Sequence, residues 1–280
     1  MDDRYIRMKS GIKMPKIIYG TAWKKVKTAS LVYKAIKLGF RGIDTACQPR
    51  HYFEPGVGEA LNKLEKEGIS RDQIFLQTKF TPISGQDPDT IPYNPKSSLQ
   101  EQVWKSFLSS QKNLGTDYLD SLILHSMLDT HDETIEAWGG MEDIHSNSGA
   151  KQLGISNCYD LEKLKKLYDD ARVKPSVLQN RFYKTTDFDK EIRKWCFEND
   201  IIYQSFWTLT ANRDFLQSPL IEAIALSNNK TPAQILFRYL TQIGVAPLTG
   251  TTSDAHMKED LAIFEFVLLE SDIERINNLL

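Results

Sequence analysis

The sequence predicts an α/β fold in which eight parallel strands close into a (β/α)8 barrel, a single domain over residues 1–280. Short runs rich in Val, Ile and Leu alternate with longer stretches of helical period from about residue 16 to residue 265. The runs number eight, and several end in an isolated ionisable residue, at the strand ends where barrel enzymes carry their chemistry.

The runs are 16–20, 41–45, 74–80, 118–125, 152–156, 176–181, 201–206 and 245–249. Between the second and third, Val57, Ala60, Leu61 and Leu64 recur at spacings of three and four, with Glu59, Lys63, Glu65 and Lys66 on the other face. After the fifth, Asp160 is placed to cap a helix that buries Leu161, Leu164 and Tyr168. Thr231-Pro232-Ala233-Gln234 combines a cap, a proline at the first helical position and a glutamine three residues past the cap, the pattern of a capping box. The proline-rich stretch 81–95 reads as a long loop walling a pocket. A doubly wound open sheet is the alternative fold, but Gly20-Thr21-Ala22-Trp23 after the first run lacks the GxGxxG pattern, and Pro55-Gly56-Val57-Gly58 lacks its full spacing.

Composition narrows the function classes. With 41% hydrophobic and 26% charged residues, the chain of 280 can bury a sizeable core. A formal net charge of -2 gives no global field toward nucleic acid or anionic membrane, so the expected partner is a small molecule. Cys47, Cys158 and Cys196 are scattered, without CxxC or a Cys/His cluster, which argues against a zinc site and for a reducing, cytoplasmic setting. The first seven residues lack the apolar core of a signal peptide, and no apolar run approaches the ~18 residues of a membrane span.

Asp44 lies at the end of the second run and Tyr52 follows it, Lys79 lies at the end of the third and His125 closes the fourth. Singly, each has an ordinary reading: an ion pair for Lys79, packing for Tyr52, a satisfied core residue for His125. Jointly they form an acid–base set. A phenol with a pKa near 10 is a poor acid at neutral pH, and a neighbouring ammonium favours its ionised form. Asp44 could hold Lys79 charged, and His125 could hydrogen-bond a substrate oxygen. Lys79 could instead act as a Schiff-base nucleophile in a lyase or isomerase.

Gly42-Ile43-Asp44-Thr45-Ala46 with Val57-Gly58-Glu59-Ala60-Leu61, and then Gly154-Ile155-Ser156-Asn157, resemble the two signatures of the aldo-keto reductases in the right order. The resemblance covers nearly the full length. It implies a barrel that reduces carbonyls with a nicotinamide dinucleotide, without metal, using a tetrad that falls on Asp44, Tyr52, Lys79 and His125. One departure concerns the acid: the family Tyr follows the Asp by five residues, here Pro49, whereas Tyr52 stands eight residues on and His51 is its rival. Tyr52 is preferred because a cation assists a phenol but hinders protonation of an imidazole.

The resemblance also implies a cofactor site. Ser156, Asn157 and Gln179 correspond to the carboxamide partners, and Phe206 or Trp207 to the ring that stacks on the nicotinamide. Gly20, Thr21 and Leu209 join them. Thr249, Gly250 and Thr251 resemble the phosphate-binding turn, and Glu259 with Asp260 the adenine pair. Leu248 and, approximately, His256 stand where a Lys and an Arg usually clamp the 2′-phosphate, leaving Lys258 as the nearby positive charge. NADPH is the expected cofactor and NADH the alternative. Trp23, Phe80 and Met127 are expected to line the pocket with Tyr52, His125 and Trp207. The chain ends at Leu280 soon after its final helix, so a shallow, open pocket suited to reactive aldehydes, α-dicarbonyls or keto-lactones is expected. A monomer is also expected. The alternative within the family is a dinucleotide-binding regulatory protein with little turnover.

Overall fold

A computed structural model describes residues 3–8 and 11–280. Each of the eight apolar runs becomes a strand of one closed parallel barrel: β3 (Ile18–Gly20), β4 (Gly42–Asp44), β5 (Phe75–Phe80), β6 (Ser121–Leu124), β7 (Leu153–Ser156), β8 (Val177–Arg181), β9 (Ile202–Phe206) and β10 (Ala246–Thr249). Neighbours in sequence are neighbours in the barrel, and β10 pairs with β3 to close it. Helices α1 (Thr28–Leu38), α2 (Glu54–Lys66), α3 (Leu99–Leu114), α4 (His131–Ser146), α5 (Leu161–Asp170), α6 (Lys190–Glu198), α7 (Arg213–Leu216), α8 (Pro219–Asn228), α9 (Pro232–Gln242), α10 (Asp254–Leu261) and α11 (Glu270–Asn277) follow the strands.

The larger core lies between barrel and helices, where outward strand residues such as Leu76, Leu122, Ile155 and Leu178 meet Val57, Val103, Met141 and Leu164. Helix ends follow local chemistry. Thr130 and Thr231 each form a reciprocal capping box, and Asp160 accepts from the N–H groups of Glu162 and Lys163. The buried stripe of α5 is Leu164 and Leu167; Leu161, at the first turn, and Tyr168 are only partly covered, which shifts the expected face. Gly58 permits α2 to approach α3, since a Cβ there would stand 2.2 Å from the Asn113 carbonyl oxygen.

One element was not legible in the sequence. β1 (Tyr5–Arg7) and β2 (Lys13–Pro15) pair antiparallel as a hairpin. Its Ile6, Met8, Ile12 and Met14 pack against Ile18, Phe75, Ile123, Val177, Ile202, Ala246 and Leu248, which fill the lower barrel interior. Three-residue strands are too short to display an alternation. The plug leaves only the C-terminal mouth for chemistry. Met14 is fully buried and touches the Gln204 amide through its sulfur at 3.4 Å. Met14→Ala is therefore expected to cost about 2–5 kcal/mol, read as a lower urea midpoint with an unchanged m-value.

Candidate active site

Side chains alternate along a strand, so Gln77 and Lys79 on β5, Gln179 and Arg181 on β8, and Gln204 and Phe206 on β9 fall on the inward face. Above the apolar plug the interior turns polar. Asp44 sits at the end of β4, and its Oδ1 accepts from Gln77 Nε2 at 2.7 Å, Gln179 Nε2 at 2.9 Å and Lys79 Nζ at 2.7 Å, while its Oδ2 accepts from Lys79 Nζ at 2.7 Å. Lys79 also donates to the Thr45 carbonyl at 2.8 Å. Gln204 links Gln77 and Gln179 through its Oε1, at 2.9 Å from each amide nitrogen.

The Asp44–Lys79 pair has side-chain exposures of 3% and 0%. Such a pair recovers its desolvation cost only when the remaining lone pairs and protons are satisfied, as they are here. Burial lowers the proton affinity of Lys79, and the Asp44 carboxylate opposes that. With its donors directed at Asp44 and Thr45, the ammonium is poorly disposed to attack a carbonyl.

A turn brings Tyr52 to this pair. The N–H groups of His51 and Tyr52 both donate to the Gln48 carbonyl, at 3.1 and 3.0 Å, and the Gln48 amide is anchored on the Gly85 carbonyl. This fold-back absorbs the extra residues after Asp44. The Lys79 ammonium lies 5.2 Å from the Tyr52 ring centroid, and the His125 ring meets Tyr52 edge-on at 6.0 Å. His51 points elsewhere: its ring lies against Trp23 at 4.0 Å and its Nδ1 pairs with the Gln48 side chain at 2.8 Å. Burial, first, and the Asp44 carboxylate raise the Tyr52 pKa above the ordinary tyrosine value, so the resting phenol carries its proton.

His125 lies in contact with Thr81, whose hydroxyl is 2.7 Å from Nδ1. Burial, then Lys79 and His51, hold its pKa well below the usual histidine value, so the ring is neutral at neutral pH. In the tautomer in which the Thr81 hydroxyl donates to Nδ1, the ring hydrogen sits on Nε2 and can be donated to a ligand. Asn157, in the left-handed region at φ 54, donates to the His125 carbonyl at 2.9 Å and to Ser156 Oγ at 3.2 Å.

Ser156 Oγ donates to the Gln179 carbonyl at 2.6 Å. No hydrogen bond among the described residues uses Gln179 Oε1, and Asn157 Oδ1 meets only the Tyr159 hydroxyl at 3.4 Å. Gln179 Oε1 thus stands open beside Asp44 and Asn157 Oδ1 keeps a second lone pair, an acceptor set that suits a carboxamide NH2. Phe206 is half-buried, Trp207 is 50% exposed with φ 55, and Leu209 is half-buried in the loop that follows.

The other expected residues divide. Thr21 is fully buried, its hydroxyl donating to the Asp44 carbonyl at 3.0 Å, next to half-buried Gly20. Phe80 does not face the mouth: it follows inward Lys79, so it turns outward, is 1% exposed and packs on Tyr93 at 5.5 Å. Trp23 is 59% exposed at the rim, and Met127 is half-buried after β6. Thr249 donates to Asp260 at 2.7 Å, and burial pushes that carboxyl up to about 6, so these two satisfy each other inside the wall. Gly250 and His256 are exposed, and Thr251 and Glu259 half-buried, at the start and along the face of α10.

Sequence reasoning missed Lys24, whose ammonium donates to the Gly250 carbonyl and brings a positive charge to the turn where only Lys258 was foreseen. The signal was topological: the loops after β3 and β10 become neighbours only when the barrel closes. Two surface hollows, of about 610 and 680 Å³, lie away from the mouth, one along α2 and the end of α3, the other beside the hairpin. Neither contains the tetrad. No group of His, Cys, Asp and Glu among the described residues is arranged to hold a metal, and no helix among them is long and apolar enough to cross a membrane.

A family model described as the aldo/keto reductase family matches residues 16–213. The chain is 29% identical over 275 residues to an uncharacterized oxidoreductase, YtbE, of Bacillus subtilis (strain 168), covering 96% of this chain and 90% of that one. It is 27% identical over 278 residues to the glyoxal reductase of the same organism, covering 98% and 92%. A solved aldo/keto reductase from Brucella melitensis is 28% identical and superposes with a TM-score of 0.83 over 98% of each chain.

The buried pair yields a stability test that does not depend on turnover. Asp44→Leu leaves Lys79 buried without its counter-ion and should cost about 3–5 kcal/mol, whereas Asp44→Leu with Lys79→Met should recover most of that loss. Urea unfolding of both variants checks it; a double variant no more stable than Asp44→Leu would mean that the ion pair is not the source of the loss.

Proposed function

The chain belongs to the aldo/keto reductase family and is an oxidoreductase, and from that premise we propose that it reduces small aldehydes and activated ketones with NADPH, with Tyr52 as the proton donor. The observation that carries this reading is the meeting of a protonated phenol, a buried Asp44–Lys79 pair and a neutral His125 at one barrel mouth. Glyoxal reductase, a relative at 27% identity, points to α-dicarbonyls as the substrate class.

When bound, the reduced dinucleotide supplies a hydride to the carbonyl carbon. Gln179 Oε1 and Asn157 Oδ1 would accept from the nicotinamide amide, and the residues 249–251, with Lys24 beside them, would hold phosphate. His125 Nε2–H donates to the substrate oxygen and orients the carbonyl. As negative charge grows on that oxygen, Tyr52 releases its proton to it, and the Lys79 ammonium below stabilises the phenolate left behind. Asp44 keeps Lys79 charged and pointed at that position. The raised pKa of Tyr52 works against it as an acid in the resting site, and the developing alkoxide reverses the balance because it is a far stronger base than a phenolate. NADPH is favoured over NADH by the family resemblance.

Oxidation of NADPH and NADH against methylglyoxal should be observable by absorbance, and Tyr52→Phe should lower kcat/KM by about a hundred- to ten-thousand-fold, with His51→Gln close to wild type. Because His125 stays neutral and Tyr52 protonated, the reduction rate should be flat through neutral pH, and loss of the Tyr52 proton should lower it only above ~10. An unchanged rate in Tyr52→Phe would remove Tyr52 as the acid; absence of turnover with either dinucleotide would reject the reductase reading.

A further inference from the structure

Arg181 closes β8, two residues beyond Gln179 on the same inward face and opposite Phe206 in the ladder. Its guanidinium carbon lies 4.2 Å from the Trp207 ring centroid, 5.3 Å from that of Tyr183 and 6.0 Å from that of Phe206. Arg71, Arg172, Arg238 and Arg275 each pair with an Asp or Glu, whereas no ion pair among the described residues includes Arg181. Its Nε is buried without a hydrogen-bond partner. Aromatic faces offset part of the desolvation of a guanidinium but cannot accept its in-plane N–H groups. An arginine flanked by rings and in no ion pair among the described residues has the chemistry that takes a carboxylate or phosphate through its terminal N–H groups.

The position ties this group to the mouth. The Tyr159 hydroxyl accepts the Arg181 backbone N–H at 3.0 Å and donates to Asn157 Oδ1 at 3.4 Å, and Asn157 in turn holds the His125 carbonyl at 2.9 Å. Arg181 therefore stands on the same rim as the open acceptors and the acid–base set. We propose that Arg181 is the anion-recognising residue of this mouth, binding an anionic oxygen of the small molecule held there. That oxygen belongs either to a carboxylate carried by the carbonyl substrate or to the diphosphate of the dinucleotide. The proposal rests on the reductase reading for the identity of these ligands, and binding measurements separate the two.

The test uses wild type, Arg181→Met, which keeps an unbranched stem against Trp207, and Arg181→Lys, which keeps the charge. Affinities for NADPH and NADH are measured by tryptophan fluorescence quenching. Affinities for 4-carboxybenzaldehyde and its neutral methyl ester are measured by calorimetry with NADP+ bound, so that no turnover is needed. A loss of about tenfold or more in Arg181→Met confined to the acid, partly restored by Arg181→Lys, assigns the anion to the substrate. A similar loss for both dinucleotides assigns it to their diphosphate. Equal losses for acid and ester with unchanged dinucleotide affinity, or no loss beyond twofold anywhere, overturn the proposal and leave Arg181 as packing. Wild-type turnover of the ester with NADPH is recorded separately, since its absence would defeat the reductase reading without altering the binding comparison.

Discussion

The Asp44–Lys79 ion pair is the constraint on which the upper barrel depends. A carboxylate and an ammonium with almost no solvent exposure are tolerable only if each proton and lone pair is matched. That requirement fixes Gln77, Gln179 and the Thr45 carbonyl around them, and through Gln77 and Gln179 it fixes Gln204 as well. A polar disc at mid-barrel results. Lys79 is held under Tyr52 because it can go nowhere else without stranding a charge, so the requirement that stabilises the fold also positions the chemistry.

Below the disc the interior is apolar and closed by Met8 and Met14 of the hairpin; above it the rim is aromatic and open. The two ends therefore do different work. The lower end contributes burial, with methionine side chains flexible enough to fill a tapering space. The upper end gathers Trp23, Tyr52, His125, Phe206 and Trp207, with Trp23, Asn157 and Trp207 in left-handed backbone conformations that are costly for residues other than glycine. These three cluster at the mouth, where a ligand would touch them.

The barrel was legible because short runs rich in Val, Ile and Leu alternate with stretches of helical period such as α2, two patterns that do not mimic one another. Val57, Ala60, Leu61 and Leu64 are all buried as the spacing requires. The grouping of Asp44, Tyr52, Lys79 and His125 was legible because ionisable residues at or just past strand ends are conspicuous against such runs. What escaped has physical reasons. The hairpin strands are too short for alternation. Phe80 was expected in the pocket wall, but in a strand the residue next to inward Lys79 lies on the opposite face. Arg181 follows from that same parity once Gln179 is known to point inward, and Gln204 from its register opposite Gln179 on the next strand. Lys24 needed the closure of β10 on β3, which no local pattern encodes.

Taken together, one side of the mouth offers a proton from Tyr52 and the other offers acceptors suited to a nicotinamide amide. In the proposed reaction the carbonyl carbon takes hydride from the dinucleotide while its oxygen takes the Tyr52 proton. A single turnover with NADPH deuterated at the nicotinamide C4 and methylglyoxal as substrate, followed by mass analysis of the alcohol, tests the hydride step. Deuterium is expected on the carbinol carbon when the label occupies one face of C4 and protium when it occupies the other; an alcohol carrying no deuterium from either labelled face would exclude direct hydride transfer at this mouth.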